Sequence, residues 1–199
     1  MNPESAKRDQ YRHLARKEGY RSRASYKLLQ IDKKFKILTR GDVVVDFGCA
    51  PGGWLQVVVD KISSSGFVLG LDLEEIKNIN NAKTLISNVN DPNIVEIVLK
   101  NIPKRADVVL SDLSPNVSGI WMLDHFKQIE MTRKVVSTFL SILREGGKSV
   151  LKTFEGEELS IFINELKTKF SKVKISKPSA SRGSSSEIYM ICEDFHGKL

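Results

Sequence analysis

Hydrophobic and polar positions follow two alternating periodicities from residue 41 onward. Short apolar runs, of which Val-Val-Val-Asp-Phe at 43–47 is the clearest, are typical of strands covered on both faces. Apolar residues at helical spacing separate them. The pattern predicts strands at 43–47, 67–71, 84–87, 106–110, 148–153, 173–175 and 187–192. It predicts helices at 53–62, 91–100, 124–144 and 157–169, the third ended by Gly146-Gly147. Such alternation favours an α/β fold with a mostly parallel sheet and helices on both faces.

The first forty residues have a different pattern. Residues 4–18 are polar and basic with little apolar face, so we expect a helix that becomes ordered only with a binding partner. Ala24, Leu28, Ile31 and Phe35 recur at helical spacing and predict an amphipathic helix at 23–36. Without an internal repeat or a dividing linker, we expect a basic extension, 1–40, packed on one domain, 41–199.

Composition is typical of a globular protein of one domain. The chain has 199 residues, of which 41% are hydrophobic and 28% charged. No apolar run approaches the roughly 18 residues of a membrane span, and no apolar core follows the first charges as in a signal peptide. Cys49 and Cys192 lie too far apart to suggest a disulfide framework or a zinc site. We therefore expect a cytoplasmic protein without metal or membrane partner, and a monomer because nothing demands a dimer.

Positive charge is concentrated at the N-terminus. The net charge is +7; residues 1–40 contain 12 Lys and Arg against 4 Asp and Glu, and the remaining 159 residues contain 19 against 20. This asymmetry indicates a polyanionic partner whose phosphates the basic side chains contact. The alternative is a solvated tail that only aids solubility.

A glycine-rich loop at 46–53 follows the first predicted strand and precedes a helix. Its sequence, Asp-Phe-Gly-Cys-Ala-Pro-Gly-Gly, lacks the G-x-G-x-x-G spacing of a pyrophosphate site. S-adenosylmethionine has no phosphate, and its cationic end suits Asp46. Gly48, Gly52 and Gly53 let backbone approach a ligand, and Asp72, at the end of the second strand, can take ribose hydroxyls. The alternative is a tight turn beside unrelated acids.

Five segments together resemble the FtsJ/RlmE family of ribose 2′-O-methyltransferases, over roughly residues 7–192. They are Arg-Ala-Ser-Tyr-Lys-Leu-Leu from 23, the glycine loop with Trp54, Ser-Asp-Leu-Ser-Pro-Asn-Val-Ser-Gly from 111, Lys-Thr-Phe-Glu-Gly-Glu from 152, and Lys-Pro-Ser-Ala-Ser-Arg-Gly-Ser-Ser-Ser-Glu-Ile-Tyr from 177. The resemblance implies a Rossmann-like class I methyltransferase fold with a seven-stranded sheet whose last strand is antiparallel. It also implies S-adenosyl-L-methionine as cofactor and S-adenosyl-L-homocysteine as product.

The resemblance implies a catalytic tetrad of Lys27, Asp112, Lys152 and Glu187. A ribose 2′-hydroxyl must lose its proton as it attacks the sulfonium methyl, and a neutral Lys152 amine can accept that proton. Lys27 opposes a second positive charge on Lys152, whereas the carboxylates favour it, so the charge of Lys152 stays open. Each residue also has a simpler interpretation: a solvated lysine, a turn cap, or a structural ion pair.

The resemblance also implies a cofactor pocket. Its residues are Asp46, Gly48, Pro51, Gly52, Gly53, Trp54, Asp72, Leu73, Asn88, Val89 and Asp112. Family members often have an acid that binds the adenine amino group where this chain has Asn88, whose amide oxygen can accept the same hydrogen bond. Trp54 either lines this pocket or packs beneath the helix.

A 2′-hydroxyl acceptor means RNA, because DNA lacks that group. The expected RNA contacts are Arg8, Arg12, Arg16, Lys17, Arg21, Arg23, Lys177 and Arg182. Interleaved Tyr11, Tyr20 and Tyr26 either stack on bases or pack the helices.

One branch of the family modifies a uridine in the A-loop of large-subunit ribosomal RNA, and another modifies tRNA anticodon loops. The Ser-Pro-Asn-Val-Ser-Gly segment from 114 favours the ribosomal branch. We therefore expect large-subunit rRNA or the assembled large ribosomal subunit as partner, and a prokaryotic, archaeal type of protein. A tRNA methyltransferase and a non-catalytic ribosome-assembly factor are the alternatives; the loop spacing disfavours a nicotinamide-dependent oxidoreductase.

Overall fold

The structure, a computed structural model, describes residues 3–115, 118–181 and 185–197, with only the backbone for residues 3–9. The helices in these ranges are α1 Pro3–Lys17, α2 Ala24–Phe35, α3 Gly53–Ile62, α4 Ile94–Asn101, α5 Trp121–Ile142 and α6 Leu159–Lys167. The strands are β1 Val43–Phe47, β2 Phe67–Asp72, β3 Ala82–Ile86, β4 Ala106–Ser111, β5 Leu143–Phe154, β6 Phe170–Ser176 and β7 Glu187–Phe195. Every element predicted from the sequence is present.

The strands form one seven-stranded sheet in the order β3-β2-β1-β4-β5-β7-β6. The pairs β1–β2, β2–β3, β1–β4 and β4–β5 are parallel. Strand β7 is antiparallel to both of its neighbours, β5 and β6. The predicted α/β fold with a mostly parallel sheet and an antiparallel last strand is confirmed.

Helices cover both faces of the sheet, so its central strands β1 and β4 are buried at every position. Successive side chains of a strand point to opposite faces. Val43, Val45 and Phe47 accordingly join a core with α4, α5 and α6, whereas Val44 joins a second core with α2 and α3. None of the helices within the described ranges has the length and apolar character that crossing a bilayer demands.

The junction of α5 and β5 differs from the prediction. Helix α5 begins at Trp121 and ends at Ile142, and Gly146-Gly147 lies within β5 rather than ending the helix. Leu143 is already extended, with φ −74° and ψ 140°, and pairs with Ala106 of β4. Sheet pairing therefore begins before the glycines, and the register shift between Ala106 and Val108 accommodates the irregular segment.

Candidate active site

One edge of the sheet gathers the candidate residues. The carboxyl ends of β1, β2, β4 and β5 meet there because these strands are parallel. Strand β7 runs the opposite way, so its first residue, Glu187, pairs with Phe154 at the end of β5. The amino end of the antiparallel strand thus brings an acid to the edge where the parallel strands have their carboxyl ends.

The four residues of the predicted tetrad lie in one cluster at this edge. Lys27, from α2, places its Nζ 2.6 Å from Glu187 Oε1. Lys152, from β5, places its Nζ 3.5 Å from Asp112 Oδ1 and 3.7 Å from Glu187 Oε2. Lys152 Nζ also donates a hydrogen bond to the main-chain carbonyl of Asp112 at 3.2 Å. Glu187 therefore connects the two lysines, and Lys152 is held between two carboxylates.

Two amines and two carboxylates make up this cluster. Both lysine side chains are largely buried, at 7% and 10% exposure, and each amine lies beside a carboxylate. Burial raises the pKa of Glu187, but Lys27 and Lys152 lower it, and the net pKa lies below its ordinary value. Glu187 is therefore ionised at neutral pH.

Tyr189 connects the two carboxylates and was not among the site residues predicted from the sequence. Its hydroxyl donates to Asp112 Oδ1 at 2.8 Å and lies 3.3 Å from Glu187 Oε1. Burial, with the nearby charges of Asp112 and Glu187, raises the pKa of Tyr189 well above its ordinary value. The hydroxyl thus stays a donor. The sequence did contain a signal for Tyr189. It lies two positions after Glu187 in β7, and residues two apart in a strand point to the same face.

The glycine loop, residues 46–53, turns sharply between β1 and α3. Gly48 and Gly52 have φ of +78° and +104°, values that glycine adopts without strain. Gly53 serves a different purpose: a Cβ there would lie 2.4 Å from the Ser22 hydroxyl and 2.8 Å from that of Ser25. Its small size therefore lets the start of α3 pack against the start of α2.

Asp46, in β1 where the glycine loop begins, is fully buried. Neither of its carboxylate oxygens has a hydrogen-bond partner among the described residues. Burial first, and then the charges of Asp112 and Asp72, raise the pKa of Asp46 well above its ordinary value. Asp46, Asp72 and Asp112 therefore repel one another, and a positively charged ligand beside them would relieve this repulsion. The ammonium and sulfonium of S-adenosylmethionine fit this requirement.

The other predicted cofactor residues surround the loop with differing exposure. Asp72 accepts hydrogen bonds from the Ala50 and Glu74 amides at 2.8 and 3.1 Å, so it also supports the loop. Pro51 and Leu73 are exposed, the latter at 67%. The exposed Asn88 uses its Oδ1 for the Asn90 amide, and an amide oxygen can accept a second bond. Val89 packs partly against the first core.

Trp54 packs beneath the helix, which was one of its two predicted interpretations. It is only 3% exposed and belongs to the second core. Its indole N–H donates to the Ala24 carbonyl at 2.9 Å, and its ring centroid lies 5.8 Å from that of Tyr189. Trp54 thus supports the tetrad through Tyr189.

Basic side chains line a hollow of about 470 Å³ between α1 and the turn into α2. This arginine-lined hollow is formed by Arg12, Ala15, Arg16, Tyr20, Arg21, Ser22 and Arg23. Lys17 is exposed on α1, and Lys177 is exposed with its Nζ 3.6 Å from Glu155 Oε2. The side chain of Arg8 and the whole of Arg182, both predicted RNA contacts, lie outside the described residues.

The three N-terminal tyrosines pack against each other. Ring centroids of Tyr11 and Tyr26 are 5.4 Å apart, and those of Tyr20 and Tyr26 are 5.9 Å apart. The Tyr26 hydroxyl donates to Glu18 at 2.6 Å. These contacts favour the packing alternative, in which the tyrosines join α1 to α2.

Comparison with known proteins gives consistent matches over nearly the whole chain. The family described as FtsJ-like methyltransferase matches residues 20–195. "Ribosomal RNA large subunit methyltransferase E" of Methanothermobacter thermautotrophicus is 42% identical over 194 residues, covering 96% of this chain and 92% of that protein. The protein of the same name from Cenarchaeum symbiosum is 43% identical, covering 99% and 100%. A crystal structure described as a ribosomal RNA methyltransferase of Plasmodium falciparum superposes with a TM-score of 0.81 at 29% identity, covering 90% and 100%.

Proposed function

This chain belongs to the FtsJ-like methyltransferase family, and we propose that it transfers a methyl group from S-adenosylmethionine to a ribose 2′-hydroxyl of large-subunit ribosomal RNA. The observation that carries the proposal is the cluster of Lys27, Asp112, Lys152 and Glu187 at the carboxyl edge of the sheet. The methyl acceptor, a ribose 2′-hydroxyl, is a weak acid that must be held in position while it loses its proton. Two amines and two carboxylates are suited to that task.

Lys152 is the proposed proton acceptor. When bound, S-adenosylmethionine supplies an electrophilic methyl group on a sulfonium. As the 2′-oxygen takes the methyl group that the sulfonium would supply, Lys152, as a neutral amine, would accept the 2′-proton at its Nζ. The Asp112 carbonyl, 3.2 Å from this amine, orients it.

Lys27 and Glu187 act on the same hydroxyl by position and charge. Glu187 holds Lys27 at 2.6 Å, and the positive charge of Lys27 disfavours a second charge on Lys152. Asp112 and Glu187 favour that charge, so the arrangement also contributes by holding the hydroxyl in place.

Two acids, Asp46 and Asp72, would hold the cofactor. Asp46 lies where its uncompensated carboxyl suits a cationic group, and Asp72 would take the ribose hydroxyls of the adenosine. Asn88 would accept a hydrogen bond from the adenine amino group, with Val89 beside the ring. Gly48 and Gly52 leave the loop backbone open to the ligand.

The basic N-terminal extension, residues 1–40, would bind RNA phosphates. Exposed Arg12 and Arg16 face the arginine-lined hollow, and Arg23 lies four positions before Lys27. A phosphate in the hollow would therefore lie near the ribose presented to the tetrad.

The names of the relatives support large-subunit rRNA, and we propose a uridine of the A-loop as the target. We further propose that a cytoplasmic monomer acts on this RNA or on the assembled large subunit.

A methyl-transfer assay with three acceptors tests the proposal. Isolated large subunits, naked large-subunit rRNA and bulk tRNA are incubated with labelled S-adenosylmethionine, and the modified nucleotide is mapped. We expect label at one uridine ribose of large-subunit RNA, in either the naked or the assembled form. Label in an anticodon loop alone would identify a tRNA enzyme, and no transfer to any acceptor would favour a non-catalytic assembly factor.

A further inference from the structure

The guanidinium of Arg21 is bonded to main-chain carbonyls of two separate loops. Its Nη1 donates to the Pro51 carbonyl at 3.1 Å and to the Lys77 carbonyl at 2.7 Å. Its Nη2 donates to the Asn78 carbonyl at 2.8 Å. Pro51 lies in the glycine loop, whereas Lys77 and Asn78 lie between β2 and β3, after Asp72. One side chain therefore joins the two loops that carry the proposed cofactor residues.

The backbone of Arg21 is fixed to the helix that follows the glycine loop. Its amide donates to Gln56 Oε1 at 2.8 Å, and Gln56 Nε2 donates to the Gly19 carbonyl at 2.9 Å. Gln56 belongs to α3, so both ends of the arginine are held. Arg21 is thus placed before any ligand arrives.

Gly52 leaves the space that the Arg21 side chain occupies. A Cβ at Gly52 would lie 2.9 Å from Arg21 Nη1 and 2.7 Å from the Ile79 side chain. The same glycine thus provides the positive φ of the loop and the room for the arginine.

An arginine side chain is suited to donating hydrogen bonds to three carbonyl oxygens on two loops. A guanidinium presents five N–H donors in a rigid plane, and its bonds to carbonyl oxygens are charge-assisted. A lysine ammonium is a point donor on a flexible stem and cannot reproduce that fork. Loops held at a fixed separation need less ordering when a ligand binds between them.

We propose that Arg21 is a positioning residue for the cofactor site, fixing the glycine loop against residues 77–78, and that this is its role in place of a contact to RNA phosphate. This inference rests on the proposed function in one respect, the identity of the ligand as an adenosyl cofactor. Arg21 shares a basic segment with Arg12 and Arg16, but its guanidinium is directed at protein carbonyls.

Calorimetric titration with S-adenosylhomocysteine, without RNA, measures the effect on the cofactor site alone. We expect Arg21→Ala to raise the Kd by about 10- to 100-fold, the scale of a misplaced binding group. Arg21→Lys falls between this variant and the wild type. Gln56→Ala, which loosens the support of Arg21, gives a smaller rise in the same direction and serves if Arg21→Ala fails to fold.

Arg12→Ala is the matched control from the same basic segment. It is expected to leave the Kd for S-adenosylhomocysteine within about twofold and to raise the KM for RNA, which reflects lost phosphate contact. If Arg21→Ala instead behaves like Arg12→Ala, with RNA KM raised and cofactor Kd unchanged, Arg21 is an RNA contact and the inference is overturned.

Hydrogen exchange of the ligand-free protein gives a readout that needs no cofactor. Arg21→Ala is expected to accelerate amide exchange at 49–53 and 76–80 while leaving strands β5 and β7 protected. Uniform acceleration would mean general destabilisation and would contradict a local clamp. If the wild type binds no S-adenosylhomocysteine, the proposed function fails, and the exchange pattern still decides whether Arg21 holds the two loops.

Discussion

Two groups of buried charge lie at the same edge of the sheet and differ in their balance. In the tetrad, two lysines face two carboxylates at 2.6 to 3.7 Å, and the Tyr189 hydroxyl donates to Asp112 and lies 3.3 Å from Glu187. Around Asp46, by contrast, the neighbouring charges are acids, and its own oxygens lack partners among the described residues. The first group is complete within the protein, whereas the second becomes balanced only with a cation.

This difference separates the tasks of the two regions. A balanced cluster holds its geometry without ligand, which suits groups that must orient a reacting hydroxyl. An unbalanced carboxyl gains most when a positive ligand arrives, which suits a binding site for a sulfonium cofactor. Substitutions should therefore affect methyl transfer in the first region and cofactor affinity in the second.

The largest expected effect comes from the balanced group. Lys152→Ala should lower kcat by at least about 100-fold, because the proposed proton acceptor is lost. Its Kd for S-adenosylmethionine should stay near that of the wild type. Methyl transfer to RNA and calorimetry measure the two quantities.

Lys148→Ala is a control from the same strand. Lys148 lies four positions before Lys152 and donates to the Lys36 carbonyl, so methyl transfer should persist. Full activity of Lys152→Ala would remove Lys152 from the mechanism.

The next effect should appear in the unbalanced region. Asp46→Asn should weaken cofactor binding by about 10- to 100-fold, since a charged interaction is lost. The wild type should also release a proton on binding, because a carboxyl whose pKa is raised becomes ionised beside the cation. Calorimetry in buffers of different ionisation enthalpy detects this release, which Asp46→Asn should abolish.

The exposed acid Asp60 on α3 gives the control for this substitution. Asp60→Asn should retain both the affinity and the proton release of the wild type. An Asp46→Asn variant that binds as tightly as the wild type would show that Asp46 does not face the cofactor.

The pH dependence of stability should have opposite signs in the two regions. The pKa of Glu187 is lowered in the folded protein, so its stabilisation is present above its ordinary pKa of 4.5 and is lost as pH falls through the folded value. The pKa of Asp46 is raised from 3.8, so its contribution is complete below that value and is lost as pH rises through the folded value.

Urea unfolding between pH 4 and 8 tests this contrast without ligand. Glu187→Gln should lose most stability, relative to the wild type, at the upper end of the range. Asp46→Asn should become more stable relative to the wild type as pH rises, with a difference in slope of at most about 1.4 kcal/mol per pH unit. Parallel pH profiles for the two variants would contradict the comparison.

The smallest effect is expected at Tyr189, which supports the tetrad from beneath. Tyr189→Phe removes the hydroxyl that joins Asp112 and Glu187 but retains the ring against Trp54. We expect kcat to fall by about 2- to 10-fold, the scale of one hydrogen bond, with cofactor affinity unchanged. A loss as large as that of Lys152→Ala would mean that the hydroxyl itself takes part in the reaction.

Patterns local to the chain predicted the fold, and the family resemblance implied the tetrad. The apolar run at 43–47 marked the central strand, and Asp72 followed from the position where the second strand ends. Asp112, by contrast, was implied by the resemblance, together with the other three tetrad residues. Gly146-Gly147 misled because glycine commonly ends helices, whereas here sheet pairing of Leu143 with Ala106 had already begun. A tertiary contact overrode a local preference.

Contacts between distant segments could not be predicted in this way. Arg21 sits in a run of basic residues and looks like its neighbours, but its carbonyl acceptors lie 30 to 57 positions away. The role of Trp54 likewise depended on the Ala24 carbonyl, 30 positions earlier. Nothing local to either residue distinguishes a structural donor from a ligand contact.

The position of the transferred methyl group tests the central claim most directly. Large-subunit RNA is labelled with methyl-tritiated S-adenosylmethionine by the wild type and by Lys152→Ala, digested to nucleosides and separated. We predict label in a 2′-O-methylated nucleoside with the wild type and none with Lys152→Ala. Label on a base, or equal ribose labelling by both proteins, would contradict the account.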